Sequence, residues 1–508
     1  MTKPSATARP NVLFVMTDQQ RFDTIAALGY QPASTPNLDR LVARGVSCER
    51  AYSTCPVCVP ARYGIMTGCE PGRTGWFGNW QPVPDPRANC GPYLAETLRS
   101  LGYRTFGLGK FHTHPRTEPL GFEVHEYSEE IWPDRETFLK DDYVVWLRDK
   151  APAFEHLEQV HGERTDMYYV PQARPQPAEL CAESWLAGRA VEEVGRSDAR
   201  PFFGFVSFVQ PHPPIAPPIP YNRMFDPDTM PPPRAGDPKI DAADDYLGWM
   251  NHGVYAEEIS TFQAKQLRAR YAGAISFIDT CLGRILDAVE ARPDADNTLI
   301  CFFSDHGDLL GDHGAWQKES FFEASTRVPM LISWPRRLPG GRRHAGLTTL
   351  TDLFGLATGA AGKPQTRQGH DLLGALEGKA AERPRVIGMH GLPGTKEFKA
   401  MVREDEWKLL WFANGNRRFL FNLREDPGES RCVLDGHAAV AARLEAALVA
   451  HLAAEATTRP ALDSATGELQ AFPFARTERV RIKQFGPTVS DFGQPLHPPP
   501  APGPRRFL

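Results

Sequence analysis

The sequence has no apolar run approaching the ~20 residues that a membrane-spanning helix needs. Its opening, MTKPSATARP, lacks the apolar core of a secretory signal, so a membrane class is set aside and the expected location is cytoplasmic. Long Lys/Arg runs are missing too, and a formal net charge of only −5 leaves no footprint of a nucleic-acid binder. The short cluster Arg342-Arg343-His344 needs no more than a solvated loop. Cysteine is sparse and odd in number, nine over 508 residues, which argues against a disulfide framework and agrees with a reducing compartment. No internal repeat is visible.

What is present is a globular composition, 41% hydrophobic, enough for one large core or two moderate ones. Short β-rich apolar runs alternate with longer amphipathic stretches, which implies parallel strands joined by helical crossovers. Strands are expected at Asn11–Met16, Arg104–Leu108, Phe202–Phe208, Thr298–Ser304 and Val328–Trp334, and helices at Asn37–Ala43, Tyr93–Leu101, Ala182–Val194 and Gln263–Glu290. The fold class is therefore α/β, a large mostly parallel sheet flanked by helices over residues 1–380. Within it, residues 115–177 mix Pro, Glu and aromatics without a period and read as an insertion of the kind that shapes pockets. The Pro-dense stretch Pro211–Pro238 reads as an extended loop.

Residues 381–486 read as a smaller α+β domain. Its antiparallel strands are expected at Phe398–Arg403, Trp407–Phe412 and Arg418–Asn422, with a hairpin at Asn414-Gly415-Asn416 and a helix at Ala438–Ala453. The Pro-rich tail, 487–508, reads as extended, either disordered or laid across a neighbouring subunit, and on it rests the expectation of a homo-oligomer.

Chemistry concentrates in Cys58-Val59-Pro60-Ala61-Arg62, followed by Met66-Thr67-Gly68. Pro60 suits the first turn of a helix, so Cys58 should sit at a helix N-terminus, where backbone N–H groups favour an anion. Arg62 falls four residues on, on the same face. Cys55-Pro56-Val57-Cys58 also fits a redox pair, and Cys48, Cys55, Cys58 and Cys69 together could bind zinc. Asp18 follows one strand and Asp305-His306-Gly307 another, and ligands of open α/β sheets gather beyond the carboxyl ends of strands. Two carboxylates and an imidazole there would suit a hard divalent cation. Asp312 and His313 read as loop-structuring residues, and Trp76, Phe77 and Trp80 as either packing or a stacking surface for substrate.

The Cys-x-Pro-Ala-Arg segment with Thr67-Gly68 resembles the modification signal of the sulfatase family, an alkaline phosphatase-like superfamily. So do Asn11-Val12-Leu13 through Asp18, Thr35-Pro36-Asn37-Leu38-Asp39-Arg40-Leu41, Gly109-Lys110-Phe111-His112, Gln210-Pro211-His212-Pro213-Pro214, Arg327-Val328-Pro329, Phe421-Asn422-Leu423 and Asp426-Pro427-Gly428-Glu429. The resemblance spans about residues 11–430 and implies a sulfuric ester hydrolase. It implies that Cys58 is oxidised to formylglycine by a separate formylglycine-generating enzyme, the hydrated aldehyde supplying the attacking oxygen. By the same resemblance Cys58, Arg62, His112 and His212 are catalytic, Lys110 and Lys318 bind the sulfate ester, and Asp18, Cys58, Asp305 and His306 hold one divalent cation, calcium or manganese; Asn79, following Arg73-Thr74-Gly75, is a candidate substrate-binding residue through an oxyanion contact. Gln19 is a further candidate ligand. It stands where many members carry a second aspartate, and His306 where many carry asparagine, a combination that resembles the choline sulfatase and phosphonate monoester hydrolase branch. A phosphonate monoester or phosphodiester hydrolase is thus the alternative enzyme, and a binding protein with an unmodified Cys58 the alternative from another class. No nucleic-acid or membrane partner is expected.

Overall fold

The computed structural model describes residues 9–30, 32–79, 85–132, 134–154, 160–162, 168–237, 240 and 244–479. Trp80 and the tail at 487–508, with the assembly expected through it, lie outside them. The large sheet contains β1 (Asn11–Asp18), β2 (Val46–Tyr52), β3 (Arg104–Gly109), β4 (Val124–Tyr127), β5 (Phe202–Pro211), β6 (Thr298–Ser304), β7 (Arg327–Val328), β8 (Met330–Ser333) and β9 (Arg342–Thr349). Their order is β4-β3-β5-β1-β6-β8-β2-β7, with β9 beside β2. From β4 to β6 every pair is parallel, while β8 and β7 run against their neighbours.

β1 lies at the centre because both of its faces are apolar. Val12, Phe14 and Met16 enter one core and Leu13 and Val15 the other, the period of two that a strand imposes. Phe14 meets Phe203 and Phe303 edge-on at 5.6 and 5.7 Å. Helices Cys58–Thr67, Leu94–Ser100 and Asp352–Ala360 cover the first face; Pro36–Arg44, Asp142–Lys150, Ala182–Gly195 and Thr261–Glu290 cover the second.

Three expectations are corrected. The single strand Val328–Trp334 is broken at Pro329, which has no N–H for a ladder, into β7 on β2 and β8 on β6 and β2. Arg342-Arg343-His344 opens β9 instead of lying in a loop, its arginine side chains exposed beside β2. The 115–177 segment does more than cover the sheet, since it supplies β4 at its edge and the helix Asp142–Lys150.

A second sheet, β10 (Val386–His390), β11 (Lys399–Glu404), β12 (Trp407–Phe412) and β13 (Arg417–Asn422), is antiparallel throughout, and the hairpin at Asn414–Asn416 joins its last two strands. The helix Ala438–Ala454 packs Leu444, Leu448 and Leu452 on one face. The other face, with Met401, Leu410, Phe412 and Phe421, meets Tyr52, Phe321 and Phe322 of the large unit. No helix among the described residues is long and apolar enough to cross a membrane.

Candidate active site

The helix Cys58–Thr67 starts where Val57 is still extended, with Pro60 in its first turn. Asn79 Oδ1 accepts the Val59 N–H at 3.0 Å, which gives Asn79 the part of a cap at this helix end. Gly68, at φ +66°, ends the helix with its N–H on Gly64 O at 2.8 Å. Cys58 therefore sits at the positive end of a fully buried helix.

The carboxyl ends of β1 and β6 bring their acids to this point. Asp18, Cys58, Asp305 and His306 each offer one ligand atom, all within 4.8 Å of one another and all buried. Cys58 Sγ is 3.3 Å from His306 Nε2 and 4.0 Å from Asp18 Oδ1. His306 Nδ1 lies 3.0 Å from Gly307 O, which places its proton there and leaves Nε2 free to ligate.

Arg62 reaches back along the helix to bridge both acids, at 2.8 Å to Asp18 Oδ2 and 3.1 Å to Asp305 Oδ2. It also donates to Lys110 O at 2.5 Å and Ser207 Oγ at 3.1 Å. Lys110 Nζ lies 2.5 Å from Asp18 Oδ2 and is paired with Glu130. Lys318 Nζ donates to Gln19 Oε1 at 2.7 Å and to His212 Nε2 at 3.0 Å, while His212 Nδ1 is 2.6 Å from Pro213 O. Gln19 thus turns its oxygen to Lys318, with Nε2 on Asp308 Oδ2 at 2.5 Å. Tyr169 completes that strap: its hydroxyl donates to Asp308 Oδ2 at 2.8 Å and accepts the Gln317 N–H at 2.9 Å.

Lys110 and His112 lie just past the end of β3, where the chain turns. β3 ends at Gly109, where a Cβ would lie 2.1 Å from Ser207 O, and His112 turns to φ +50°. The cause is Glu129, whose Oε1 accepts the successive N–H groups of Phe111 and His112 at 2.7 and 2.8 Å. The His112 ring is buried, and neither nitrogen has a hydrogen-bond partner among the described residues. Left-handed backbone at Gln19, His112, Gln317 and Glu319 surrounds the two lysines, and such strain persists where packing over-determines it.

Charge follows geometry. Burial works to raise the Asp18 carboxyl, but Lys110, His212, Arg62 and His306 hold it well below the usual range. Burial, and after it Asp18, pushes the Cys58 thiol up to about 12. Burial likewise carries His112, His212 and His306 below the usual imidazole range. Lys110 and Lys318 stay charged: burial opposes both, and the carboxylates of Asp18 and Glu130 are among the anions that outweigh it.

The structure gathers Asp18, Cys58, Arg62, Lys110, His212, Asp305, His306 and Lys318 into one connected cluster, with Gln19 as the strap behind Lys318. Trp76 is stacked between Tyr63 and His114 at 5.3 and 5.2 Å, and Phe77 belongs to the core under the small sheet, so both are packing groups. Asp312 pairs with Arg21 at 2.9 Å and Arg268 at 2.5 Å, and His313 stacks on Phe322. Glu129, Glu130, Tyr169, Ser207 and Asp308 escaped the sequence reading. Asp308 alone carried a signal, three positions beyond Asp305.

The sequence model of the sulfatase family matches residues 10–363, and that of the C-terminal region of N-sulphoglucosamine sulphohydrolase matches residues 311–455. An arylsulfatase of Clostridium perfringens is 28% identical over 442 residues, covering 83% of this chain and 89% of that protein. A choline-sulfatase of Rhizobium meliloti is 28% identical over 449 residues, covering 83% of this chain and 82% of its own. Among solved structures, the phosphonate monoester hydrolase of Agrobacterium radiobacter has a TM-score of 0.74 at 27% identity, covering 88% of this chain and 96% of that one. With the family match running from before β1 to beyond β9 and taking in every strand of the large sheet, this chain belongs to the sulfatase family, on an alkaline phosphatase-like fold.

Proposed function

We propose that this chain hydrolyses sulfate monoesters, with Cys58 matured to formylglycine by a separate enzyme. A divalent cation, calcium or manganese, is held by Asp18, Asp305, His306 and residue 58. The observation that carries the reading is the convergence on Cys58 of a helix start, two carboxylates, an imidazole and the cations Arg62, Lys110 and Lys318. Cys58 Sγ marks where an oxygen of the modified residue would stand. The donor set fits a hard or borderline ion, since the ligand atoms are two carboxylate oxygens and an imidazole nitrogen, all buried.

When bound, the cation supplies positive charge to stabilise an oxygen anion at residue 58. The aldehyde hydrate supplies two oxygens on one carbon, so water need not attack sulfur. The remaining tasks fall to the chain. Lys110 and Lys318 hold the sulfonyl oxygens and stabilise the charge that develops on them. The Lys318–His212 pair, a lysine proton directed at Nε2, supplies the proton for the leaving oxygen. His112, both of whose nitrogens are unpartnered among the described residues, is assigned to the hydrate. Arg62 fixes the two aspartates.

A second reading, hydrolysis of phosphonate monoesters or phosphodiesters by the same groups, is favoured by the Asp18-Gln19 and Asp305-His306 pairs and by the likeness to the phosphonate monoester hydrolase. The deciding experiment compares kcat/KM for an aryl sulfate and an aryl phosphonate monoester, using metal-loaded protein and its Cys58→Ala variant, with peptide mass analysis of residue 58. Sulfate is expected to be preferred, the variant to lose on the order of 10³-fold or more, and the peptide to carry the aldehyde mass. Preference for the phosphonate would promote the second reading. Unmodified cysteine, in protein from a host with the maturation enzyme, would sink the formylglycine mechanism.

A further inference from the structure

Glu130 lies within the family match but in none of its short motifs, yet its carboxylate stands among the cations of the site. Its Oε2 is paired with Lys110 Nζ and lies 3.3 Å from His212 Nε2, and its side chain is 8% exposed. The neighbouring residue shows why it is held there. Glu129 binds the Phe111 and His112 N–H groups, and its own N–H donates to Asp141 Oδ2 at 2.9 Å, an oxygen that also takes Trp132 Nε1 at 2.9 Å. The insertion is therefore stitched to the Lys110–His112 loop one residue before Glu130, so a fixed backbone delivers the carboxylate.

A carboxylate at this place works against anion binding. Lys110 and Lys318 are the groups assigned to the sulfonyl oxygens, and His212 to the leaving oxygen, so Glu130 offsets part of their pull. The opposition grows with ligand charge. A sulfate monoester carries one negative charge, the sulfate it releases carries two, and a phosphate monoester carries two above its second pKa near 6. Two charges ~6 Å apart at an effective dielectric of ~20 interact strongly enough to change an equilibrium by more than about tenfold.

We propose that Glu130 is a charge filter, setting the site to hold monoanionic esters and reject dianions, so that product sulfate leaves readily and phosphate monoesters are disfavoured. The filter rests on reading the site as an ester hydrolase, but not on which ester it prefers.

The test uses the full-length, metal-loaded enzyme with Glu130→Gln and Glu130→Asp, at pH 8. The reporter is whichever monoanionic aryl ester, sulfate or phosphonate, the wild type turns over faster. For each protein the Ki of inorganic sulfate is divided by the KM of the reporter, and kcat/KM for an aryl phosphate by that for the reporter. Glu130→Gln is expected to lower the first ratio and raise the second, each by about tenfold or more, while Glu130→Asp keeps both near wild type. Unchanged ratios in Glu130→Gln, or an equal shift in Glu130→Asp, would overturn the filter. Calorimetric titration of sulfate into Cys58→Ala with and without Glu130→Gln reads the same quantity without turnover: tighter binding supports the filter and equal binding refutes it. Failure of the ester-hydrolase reading shows separately, in the wild type, before any change at Glu130.

Discussion

At the scale of single residues, the site depends on charges that have no exit to solvent. Arg62 is 2% exposed and is the fork that joins Asp18 to Asp305. Removing one partner of a buried pair leaves the others uncompensated, so Arg62→Ala should cost ~3–5 kcal/mol in metal-free protein, read by urea unfolding. Arg62→Lys should recover only part, since a lysine cannot fork to both acids; a loss under ~1 kcal/mol in the alanine variant would contradict this account.

The residues on motifs were legible because chemistry restricts which types stand at Cys58, Arg62, Asp18 and Asp305. Glu130 was not legible, because nothing in an aperiodic stretch says which of several glutamates will meet a lysine twenty positions away. The turn at His112 was not legible for a related reason, as the carboxylate that bends it, Glu129, is seventeen positions downstream.

Among the secondary elements, strand ends position the chemistry and half-buried ion pairs fasten the pieces around them. His451, on the helix Ala438–Ala454, lies 3.1 Å from Glu70, which precedes the short helix Pro71–Thr74 after the Cys58 segment. Burial works to lower this imidazole, but the hydrogen bond and charge of Glu70 raise it above its ordinary value. A raised folded value means the pair stabilises fully below pH ~6.5 and its contribution is lost as pH rises through the folded value. His451→Gln should therefore lower Tm more at pH 6 than at pH 9; an equal deficit at both would show that the pair carries no linkage.

Strands with an apolar period were readable to within one to three residues, β5 running three beyond the expected Phe208, and β12 was bounded as expected at Trp407–Phe412. Pro329 divided a run that hydropathy alone joined. β10 was overlooked because Val386–His390 is short, and its partners lie later in the chain.

On the scale of the whole molecule, a cation bound only by the folded state is a source of global stability. At a free concentration 100 times its Kd it should add ~2.7 kcal/mol, seen as a rise in Tm that chelation reverses and Asp305→Asn abolishes. Manganese should raise Tm more than calcium at equal concentration, because His306 presents nitrogen to the site. A calcium effect equal to or above manganese would reassign the ion. The α/β class and the antiparallel second sheet could be read from period and order, whereas the docking of the small sheet against Phe321 and Phe322 could not, being a contact between distant segments.

The placement of β1 at the centre of the sheet has a price during synthesis. Its two neighbours, β5 and β6, begin only at Phe202 and Thr298, and 248 residues separate Cys58 from His306. At ~5–20 residues per second a ribosome needs roughly 10 to 50 s to cover that interval. Until β5 emerges, β1, apolar on both faces, is complete but unpaired, and the site itself closes only with His306, so the nascent protein must escape aggregation, with or without chaperones, until its own later half arrives.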